Sequence, residues 1–288
     1  MQRKLFATLC AGVALAGGGL AATTAASHDR PHGHDQQRGD KAVALTDDQK
    51  LLSFRTERPE WASSTGRVRG LQVDTRLVGI DHRPATGDLY GVGDQGGVYV
   101  LDERTARATL RSRLSVPLAG TSFGVDFNPA VDRLRIVSDT GQNLRDNVDA
   151  DGDTLVDGPL TNPGPPPATV TGVAGAAYTN NDADPNTVTT LFDLDAALDQ
   201  IAVQAPANAG TLSPTGKLGV DAGAQVGFDI SSDVRRGTTV GNAGYAALTT
   251  GGASRLYGID LLTGRAAELG SFPRRHTVIG LAVPTRGR

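Results

Sequence analysis

A short pattern of apolar positions around a glycine recurs along the chain. Each copy has apolar residues before and after the glycine and usually ends in Asp. The glycines lie 45 to 53 residues apart, at Gly79, Gly124, Gly175, Gly227 and Gly280. Short runs of alternating apolar residues, separated by turns rich in Gly, Pro and Asp, lie between the copies. A repeat of about 50 residues made of short β-strands is typical of the blades of a β-propeller.

The two ends of the chain predict how the ring closes. Three predicted strands within 42–68 resemble the second, third and fourth strands of a blade that has no first strand. The strand predicted at 278–283 carries the glycine pattern of a first strand and has no partners of its own. Joining the two would complete a blade and remove two exposed strand edges. The sequence therefore predicts an all-β, five-bladed propeller with four-stranded blades; a β-sandwich or another strand-rich solenoid gives no reason for complementary ends.

The first residues have the features of a secretory signal peptide. A basic start precedes an apolar stretch at 5–20, and small residues follow it. We expect cleavage near Ala25 or Ala26, which removes 1–26 and sends the protein out of the cytoplasm. The only cysteine, Cys10, lies inside the apolar stretch, so the mature chain forms no disulfide and carries no membrane span.

The mature chain divides into three parts. Residues 27–41 are polar and lack periodicity, which predicts a disordered leader. The propeller domain is expected at 42–284, and 285–288 form a short tail.

Composition supports a turn-rich β fold and excludes one class of partner. Only four of the 31 acidic residues are Glu, and Asp favours turns over helix. The 37 Gly and 15 Pro point the same way. A net charge of −3 without a basic patch indicates that the protein does not bind nucleic acid.

The most specific stretch of sequence lies at 121–145. An Asp-Phe-Asn-Pro turn is followed there by a strand reading Arg-Leu-Arg-Ile-Val-Ser-Asp and then by Gln-Asn-Leu-Arg. This stretch resembles the bacterial exported family catalogued as domain of unknown function 4394, and the resemblance extends over about 42–284. It implies a secreted, propeller-like protein and no established reaction. The residues that carry the match are Asp126, Asn128, Arg133, Arg135, Ser138, Asn143 and Arg145.

The chain departs from that family after Asn147, in an Asp-rich segment. Oxygen-bearing side chains at alternate positions, followed by Gly152, resemble the opening of a calcium loop. The Glu expected at the twelfth position is replaced by Gly158, so an Asp-rich hairpin turn is the alternative. The candidate calcium ligands are Asn147, Asp149, Asp151, Asp153 and Asp157.

Three aspartates of the glycine pattern form the second candidate site. The first strand of a propeller blade lines the central channel, and alternation places Gly and Asp of each copy on one side. We therefore expect Asp81, Asp126 and Asp229 to converge near the channel mouth. Three such carboxylates repel one another unless a cation or a proton relieves them. A structural metal or the hydroxyl groups of a ligand would suit them; the alternative is that each caps a turn or pairs with an arginine, such as Arg133 or Arg135.

These features favour a binding or scaffold module whose partner is a small molecule, an envelope glycan or a protein. That inference depends on what propellers commonly do and is an analogy at the level of the fold. The second hypothesis is a metal-dependent hydrolase, similar to a lactonase or a phosphoesterase, that acts at the channel mouth through Asp81, Asp126 and Asp229. None of the four Glu lies on a predicted first strand and aromatic residues make up 5% of the chain, so a glycosidase is disfavoured. We assign no catalytic residue from the sequence.

Overall fold

The computed structural model describes residues 39–286 as a five-bladed β-propeller. Each blade is a four-stranded antiparallel sheet, named here from the channel outward. Blade I consists of β22 (Val278–Ala282), β1 (Lys41–Thr46), β2 (Lys50–Arg55) and β3 (Arg58–Arg67). Blade II consists of β4 (Leu77–His82), β5 (Leu89–Gly93), β6 (Gly97–Asp102) and β7 (Arg107–Arg113). Blade III consists of β8 (Phe123–Asn128), β9 (Arg133–Ser138), β10 (Asn143–Asp146) and β11 (Thr154–Val156).

The remaining strands follow the same plan, with one small addition. Blade IV consists of β14 (Val173–Tyr178), β15 (Leu191–Asp195), β16 (Gln200–Gln204) and β17 (Leu212–Lys217), with a 3-10 turn at Ala207–Ala209. Blade V consists of β18 (Val226–Arg235), β19 (Thr238–Thr250), β20 (Ala253–Ile259) and β21 (Ala266–Ser271). Between blades III and IV, β12 (Thr161–Asn162) pairs with β13 (Ala168–Thr169). In this part of the chain no helix is long and apolar enough to span a membrane.

The ring closes as the ends of the sequence predict. Strand β22 runs antiparallel to β1, with Val43 opposite Ala282 and Leu45 opposite Gly280. The last strand of the chain is thus the innermost strand of the blade that the N-terminal strands build. Each inner strand also contacts the inner strands of the blades on either side, in the order I to V and back to I.

Glycine lets the inner strands approach one another closely. A Cβ added at Gly124 would lie 2.4 Å from the backbone nitrogen of Ala176 on the neighbouring blade. One added at Gly227 would lie 2.8 Å from the backbone carbon of Gly280. Both distances are shorter than atoms tolerate, so the repeated glycine sets the width of the ring.

The core consists of apolar layers between neighbouring blades. Tyr90 of blade II and Phe127 of blade III meet edge to face, with ring centroids 5.1 Å apart. Phe54 of blade I and Phe272, just after blade V, pack in the same way at 5.0 Å. These aromatic pairs add to the apolar area that the blades bury against each other.

The ordered domain extends slightly beyond the predicted bounds. Strand β1 begins at Lys41, and Asp40, which the prediction assigns to the leader, is buried. Asp40 pairs with Arg286 of the predicted tail and accepts a hydrogen bond from Tyr245. The predicted signal peptide and most of the predicted leader lie outside the described residues.

Two segments differ from the strand pattern that the sequence predicts. The sequence predicts strands at 225–230 and 243–249, whereas the hairpin of β18 and β19 extends through 231–242 to a turn after Arg235. The sequence also predicts a Pro-rich linker after Asn162; that segment is the loop of a short hairpin formed by β12 and β13. Both segments are rich in Gly, Thr, Ser or Pro and partly exposed, so they lack the apolar alternation that signals a strand.

Candidate functional site

The three aspartates of the glycine pattern meet at the axis of the ring. Asp81, Asp126 and Asp229 lie on the inner strands of blades II, III and V, and all three are buried. One carboxylate oxygen from each lies within 4.8 Å of the others. Within residues 39–286 this is the only group of three or more His, Cys, Asp or Glu side chains that converges so closely, and it could hold a metal ion.

Each aspartate also ties its blade to the next. Asp81 Oδ2 accepts a hydrogen bond from the backbone N–H of Phe127 at 2.8 Å, and Asp126 Oδ1 accepts one from Tyr178 at 3.0 Å. Asp229 Oδ2 accepts one from Val283, beyond the inner strand of blade I. In each case the donor is the residue that follows the Asp position of the neighbouring copy. The carboxylates therefore replace strand-to-strand hydrogen bonds that the inner strands of separate blades do not make.

Two blades have no aspartate at this position, so two backbone N–H groups on the neighbouring blades lack the acceptor it would supply. The same three carboxylates accept hydrogen bonds from these groups as well. The Asp position holds Ala177 in blade IV and Ala282 in blade I, so the N–H groups of Ile230 and His82 receive no acceptor from them. Instead Asp229 Oδ1 accepts from Ile230 at 2.6 Å, and Asp81 Oδ1 accepts from His82 at 2.7 Å. Three carboxylates thus accept hydrogen bonds from all five N–H groups of this layer.

Burial makes the protonated forms of these groups favourable. It raises the pKa of Asp81 and Asp126 well above the usual range, and the charges of neighbouring aspartates raise both further. The pKa of Asp229 rises to about 6, mainly through burial. The carboxyls of Asp126 and Asp229 are within hydrogen-bonding reach of each other, so a shared proton relieves their repulsion. A cation held between them would do the same.

A small mouth opens above the aspartates. It has a volume of about 70 Å³, and its lining includes Asp81, His82, Arg83, Asn181 and Thr285. Below it, the cavity between the inner strands has a volume of only about 10 Å³. The mouth therefore admits a few atoms of a ligand and does not lead into an open tunnel.

Two buried polar atoms at this mouth have no hydrogen-bond partner among the described residues. They are Nδ1 of His82 and Oδ1 of Asn181. His82 Nε2 lies 3.1 Å from the carboxylate of Glu103, which can only accept, so Nε2 carries a hydrogen and in that tautomer Nδ1 carries a lone pair. Asn181 donates its Nδ2 to the carbonyl of Ile230. Both unpartnered atoms are thus acceptors, and they belong to residues that line the mouth together with Asp81.

Sequence reasoning identified the aspartates and missed the other mouth residues. His82 directly follows Asp81, and its position at the end of an inner strand was a signal that could have found it. Asn181 lies three residues after the inner strand of blade IV, where nothing in the spacing points to the axis.

The predicted calcium ligands lie at the edge of blade III and pair mostly with arginines. Asp149 binds Arg83 and Arg111 at 2.5 and 2.6 Å, and this pairing lowers the pKa of Asp149 to about 2. Asp151 accepts a hydrogen bond from the backbone of Arg113. Asn147 caps the backbone of Asp149, as in an Asx turn. A calcium ion would compete with these contacts, and calcium binding here stays a prediction.

The remaining calcium candidates are separated from this loop. Asp157 accepts from Arg135 and Arg145, both at 2.6 Å; the side chains of Asp157 and Arg135 are buried, and that of Arg145 is half-buried. The backbone of Asp153 takes part in the turn, through hydrogen bonds with Asn147 and Ala150.

The family-motif residues gather on one face of blade III. Asp126 is opposite Arg135 in the register, Asn128 is opposite Arg133, and Arg135 is opposite Arg145. Alternation puts these side chains on the face that packs against blade IV. Asn143 hydrogen-bonds Arg135 Nη1 at 2.7 Å, whereas Ser138 contacts Thr140 in the following turn. No hydrogen bond or ion pair joins Arg133 or Arg135 to an axial aspartate in the described structure, so the pairing weighed from the sequence is not formed.

Comparison with solved structures gives similar folds at low identity. The chain is similar to one in a nidogen/laminin complex (12% identity, TM-score 0.46), covering 84% of this chain and 83% of that one. It is similar to a protein of unknown function from Bacteroides thetaiotaomicron VPI-5482 (14%, 0.43), covering 80% of this chain and 58% of that one. It is also similar to a putative 6-phosphogluconolactonase from Bacteroides fragilis NCTC 9343 (11%, 0.41), covering 86% and 99%. With TM-scores below 0.5, these likenesses carry no functional argument.

Sequence comparison gives one specific result. No curated protein matches the chain. The family model described as "Domain of unknown function (DUF4394)" matches residues 50–282, which include every inner strand of the ring.

Proposed function

The chain belongs to the DUF4394 family, and we propose that it is a binding module that works outside the cytoplasm. Its ligand is a small molecule, an envelope glycan or the glycan of a partner protein, held at the axial mouth. The extracytoplasmic location rests on the signal-peptide features of 1–26. A role as a scaffold for a protein partner would use the same face of the ring.

The observation that carries this proposal is the pair of unpartnered acceptors at the mouth. A buried polar atom without a partner costs about 1–3 kcal/mol, so two of them beside one cavity call for a donor from outside the chain. His82 Nδ1 and Asn181 Oδ1 can both accept hydrogen bonds. Hydroxyl groups donate them, and a sugar or other polyol presents several hydroxyls on neighbouring carbons. The volume of about 70 Å³ suits the end of such a ligand and not the whole of it.

The test is a calorimetric titration of the purified chain with neutral mono- and disaccharides. Removing the acceptor with His82→Phe should weaken binding about tenfold or more, the value of one buried hydrogen bond. His276→Phe is the matched control, because His276 is buried with an unpartnered Nδ1 but does not line the mouth. Equal affinities for the two variants would contradict a ligand at this mouth.

A metal-dependent hydrolase of the lactonase or phosphoesterase type is the second candidate. The convergence of Asp81, Asp126 and Asp229 within 4.8 Å favours it. It requires a cation at the axis that polarises a substrate at the mouth, with the carboxylates as ligands. Against it, five of the six carboxylate oxygens already accept backbone hydrogen bonds, which assigns these groups to holding the ring together.

Metal content separates the two candidates. Elemental analysis of the purified chain after dialysis should find no stoichiometric zinc or manganese and no calcium that is lost in Asp126→Asn, and chelator should change the melting temperatures of the natural chain and Asp126→Asn equally. The hydrolase would be favoured over the binding module by one bound ion per chain and an esterase or lactonase activity, both of which are lost in Asp126→Asn.

A further inference from the structure

A second cleft, separate from the axial mouth, lies between blades III and IV. It has a volume of about 490 Å³, within the range of small-molecule sites. Its lining includes Asn128, Arg133, Arg135, Arg145, Tyr178 and Asn208, none of which lines the mouth.

The cleft carries more positive than negative charge. Three guanidinium groups meet there, and one buried carboxylate, Asp157, faces them. Arg135 and Arg145 stand directly opposite each other on neighbouring strands, a like-charge arrangement that is unfavourable alone. Asp157 Oδ2 relieves it by accepting from both arginines at 2.6 Å. Two positive charges remain uncompensated within this set.

A nearby acid does not supply the missing negative charge. Asp193 is fully buried on β15, near enough to Arg135 for their charges to interact, and neither of its oxygens has a partner among the described residues. Burial raises its pKa well above the usual range, although the charge of Arg135 lowers it, and this favours the neutral carboxyl.

The three arginines differ in how much of their hydrogen-bonding capacity the protein uses. Arg135 is held in place by hydrogen bonds from all three of its guanidinium nitrogens, to Asp157, Asn143, Asn208 and the Tyr178 hydroxyl. Arg145 gives Nε and Nη2 to Asp157.

Arg133 bonds only backbone carbonyls of its own turn, those of Val131 and Asp132, through Nη1. Nη1 of Arg145 and Nε and Nη2 of Arg133 therefore make no hydrogen bond to residues 39–286.

We propose that this cleft binds a doubly charged oxyanion group, a phosphate or sulfate that is free or part of a larger ligand. Arginine's planar fork pairs with the oxygens of such groups through two parallel hydrogen bonds. Arg133 and Arg145 supply these donors from neighbouring strands of blade III, and the cleft lining adds the side-chain amides of Asn128 on that blade and Asn208 on blade IV. The two uncompensated charges of the cleft match the charge of the ligand. The site goes beyond the proposed function and does not depend on it.

The test is calorimetric titration of the purified chain with inorganic phosphate and, separately, with sulfate. We expect one saturable site, and Arg133→Gln should weaken it about tenfold or more, as loss of a charge-assisted pair does. Arg133→Lys keeps the charge and loses the fork, so it should bind more weakly than the natural chain and more tightly than Arg133→Gln. Arg235→Gln is the control for net charge, since Arg235 is 74% exposed on the β18–β19 hairpin.

Three outcomes would overturn the proposal. They are the absence of saturable binding of either anion, an equal loss in Arg133→Gln and Arg235→Gln, and acetate binding as tightly as phosphate. Melting temperatures of both variants, measured alongside, exclude unfolding as the cause of a loss. Saccharide binding at the axial mouth is unaffected by Arg133→Gln, so failure of this inference is distinct from failure of the proposed function.

Discussion

At the scale of single residues, the glycine pattern combines two separate requirements. Its glycine is small because a neighbouring strand passes within van der Waals distance. Its aspartate supplies acceptors because adjacent inner strands belong to separate sheets and do not pair through their backbones. Three aspartates suffice for five blades only because both oxygens of Asp81 and Asp229 are used.

The Asp126→Asn variant should be more stable than the natural chain at pH 8. The amide oxygen of the new Asn still accepts the hydrogen bond from the N–H of Tyr178, and its NH2 group donates to Asp229. The natural Asp126 carboxyl can donate to Asp229 only when it is protonated, which is unfavourable at pH 8. We expect a gain on the order of 1 kcal/mol, or about 2–4 °C in melting temperature. Thermal unfolding followed by circular dichroism measures it.

A matched change tests the reason for that gain. Asp102→Asn removes an exposed carboxylate that caps its own turn and should not stabilise the chain. A large loss of stability in Asp126→Asn at pH 8 would mean that the axial charge is required, as a resident cation would require it.

The Gly124→Ala variant should be clearly destabilised. Its methyl group would overlap the backbone nitrogen of Ala176, which cannot move without shifting a whole blade. Overpacking of this kind costs about 1–3 kcal/mol. Denaturant unfolding measures the cost, with Gly241→Ala as the control because no atom lies within 4 Å of the added carbon. Equal effects at the two positions would contradict the role assigned to Gly124.

Strand alternation was enough to predict that Asp81, Asp126 and Asp229 share the axis. It could not predict their partners, because backbone donors from neighbouring blades become visible only when the ring is built. The same limit applies to Asp157, which was grouped with the calcium candidates by spacing and pairs with Arg135 across the sheet edge. Local spacing cannot reveal an ion pair that depends on the register of three strands.

At the scale of secondary-structure elements, strand β22 is the element that closes the ring. Val278, Leu281 and Val283 are buried in the apolar layer that blade I shares with blade V. Its removal would expose both that layer and the hydrogen-bonding edge of β1. The complementary ends of the sequence predicted this strand because a missing first strand and a surplus first strand are visible without coordinates.

A chain ending at Thr277 should lose cooperative unfolding and aggregate. A circular permutant with 278–286 placed before Gly39 should fold, since β22 and β1 then form a hairpin in one piece. Light scattering and calorimetry compare the two, with a chain ending at Arg286 as the control. A soluble, cooperative truncated chain would show that β22 is not needed to close the ring.

The β18–β19 hairpin shows where element prediction failed. Its outer part, residues 231–242, is mostly polar or glycine, and residues 235–240 are largely exposed. Without a buried face there is no alternation to detect, although the backbone pairing continues to Arg235 and Thr238.

At the scale of the whole molecule, the axial carboxyls set how stability varies with pH. The pKa of Asp229 rises from 3.8 to about 6 on folding, so the folded chain holds its proton more tightly than the unfolded chain. That stabilisation is complete below about pH 4 and is lost as pH rises through about 6; Asp81 and Asp126 act in the same direction. Asp149, with its pKa lowered to about 2, acts oppositely and loses its contribution in stronger acid.

The melting temperature should therefore be highest near about pH 4 to 5 and should fall toward pH 8. Asp126→Asn should flatten the fall, because it replaces one member of the proton-sharing pair. Calorimetric scans across this range at constant ionic strength provide the measurement. A melting temperature that rises steadily from pH 4 to 8 would contradict the assignment.

The pairing of the first and last strands of the described domain has a mechanical consequence. Strands β1 and β22 are antiparallel, and Val43 and Ala282, near the two ends of the domain, are directly opposite each other. Force applied to both ends would break the hydrogen bonds between these strands one at a time, starting from the Val43–Ala282 end. It would not load all of them at once. The domain would thus open under small tension and expose its channel.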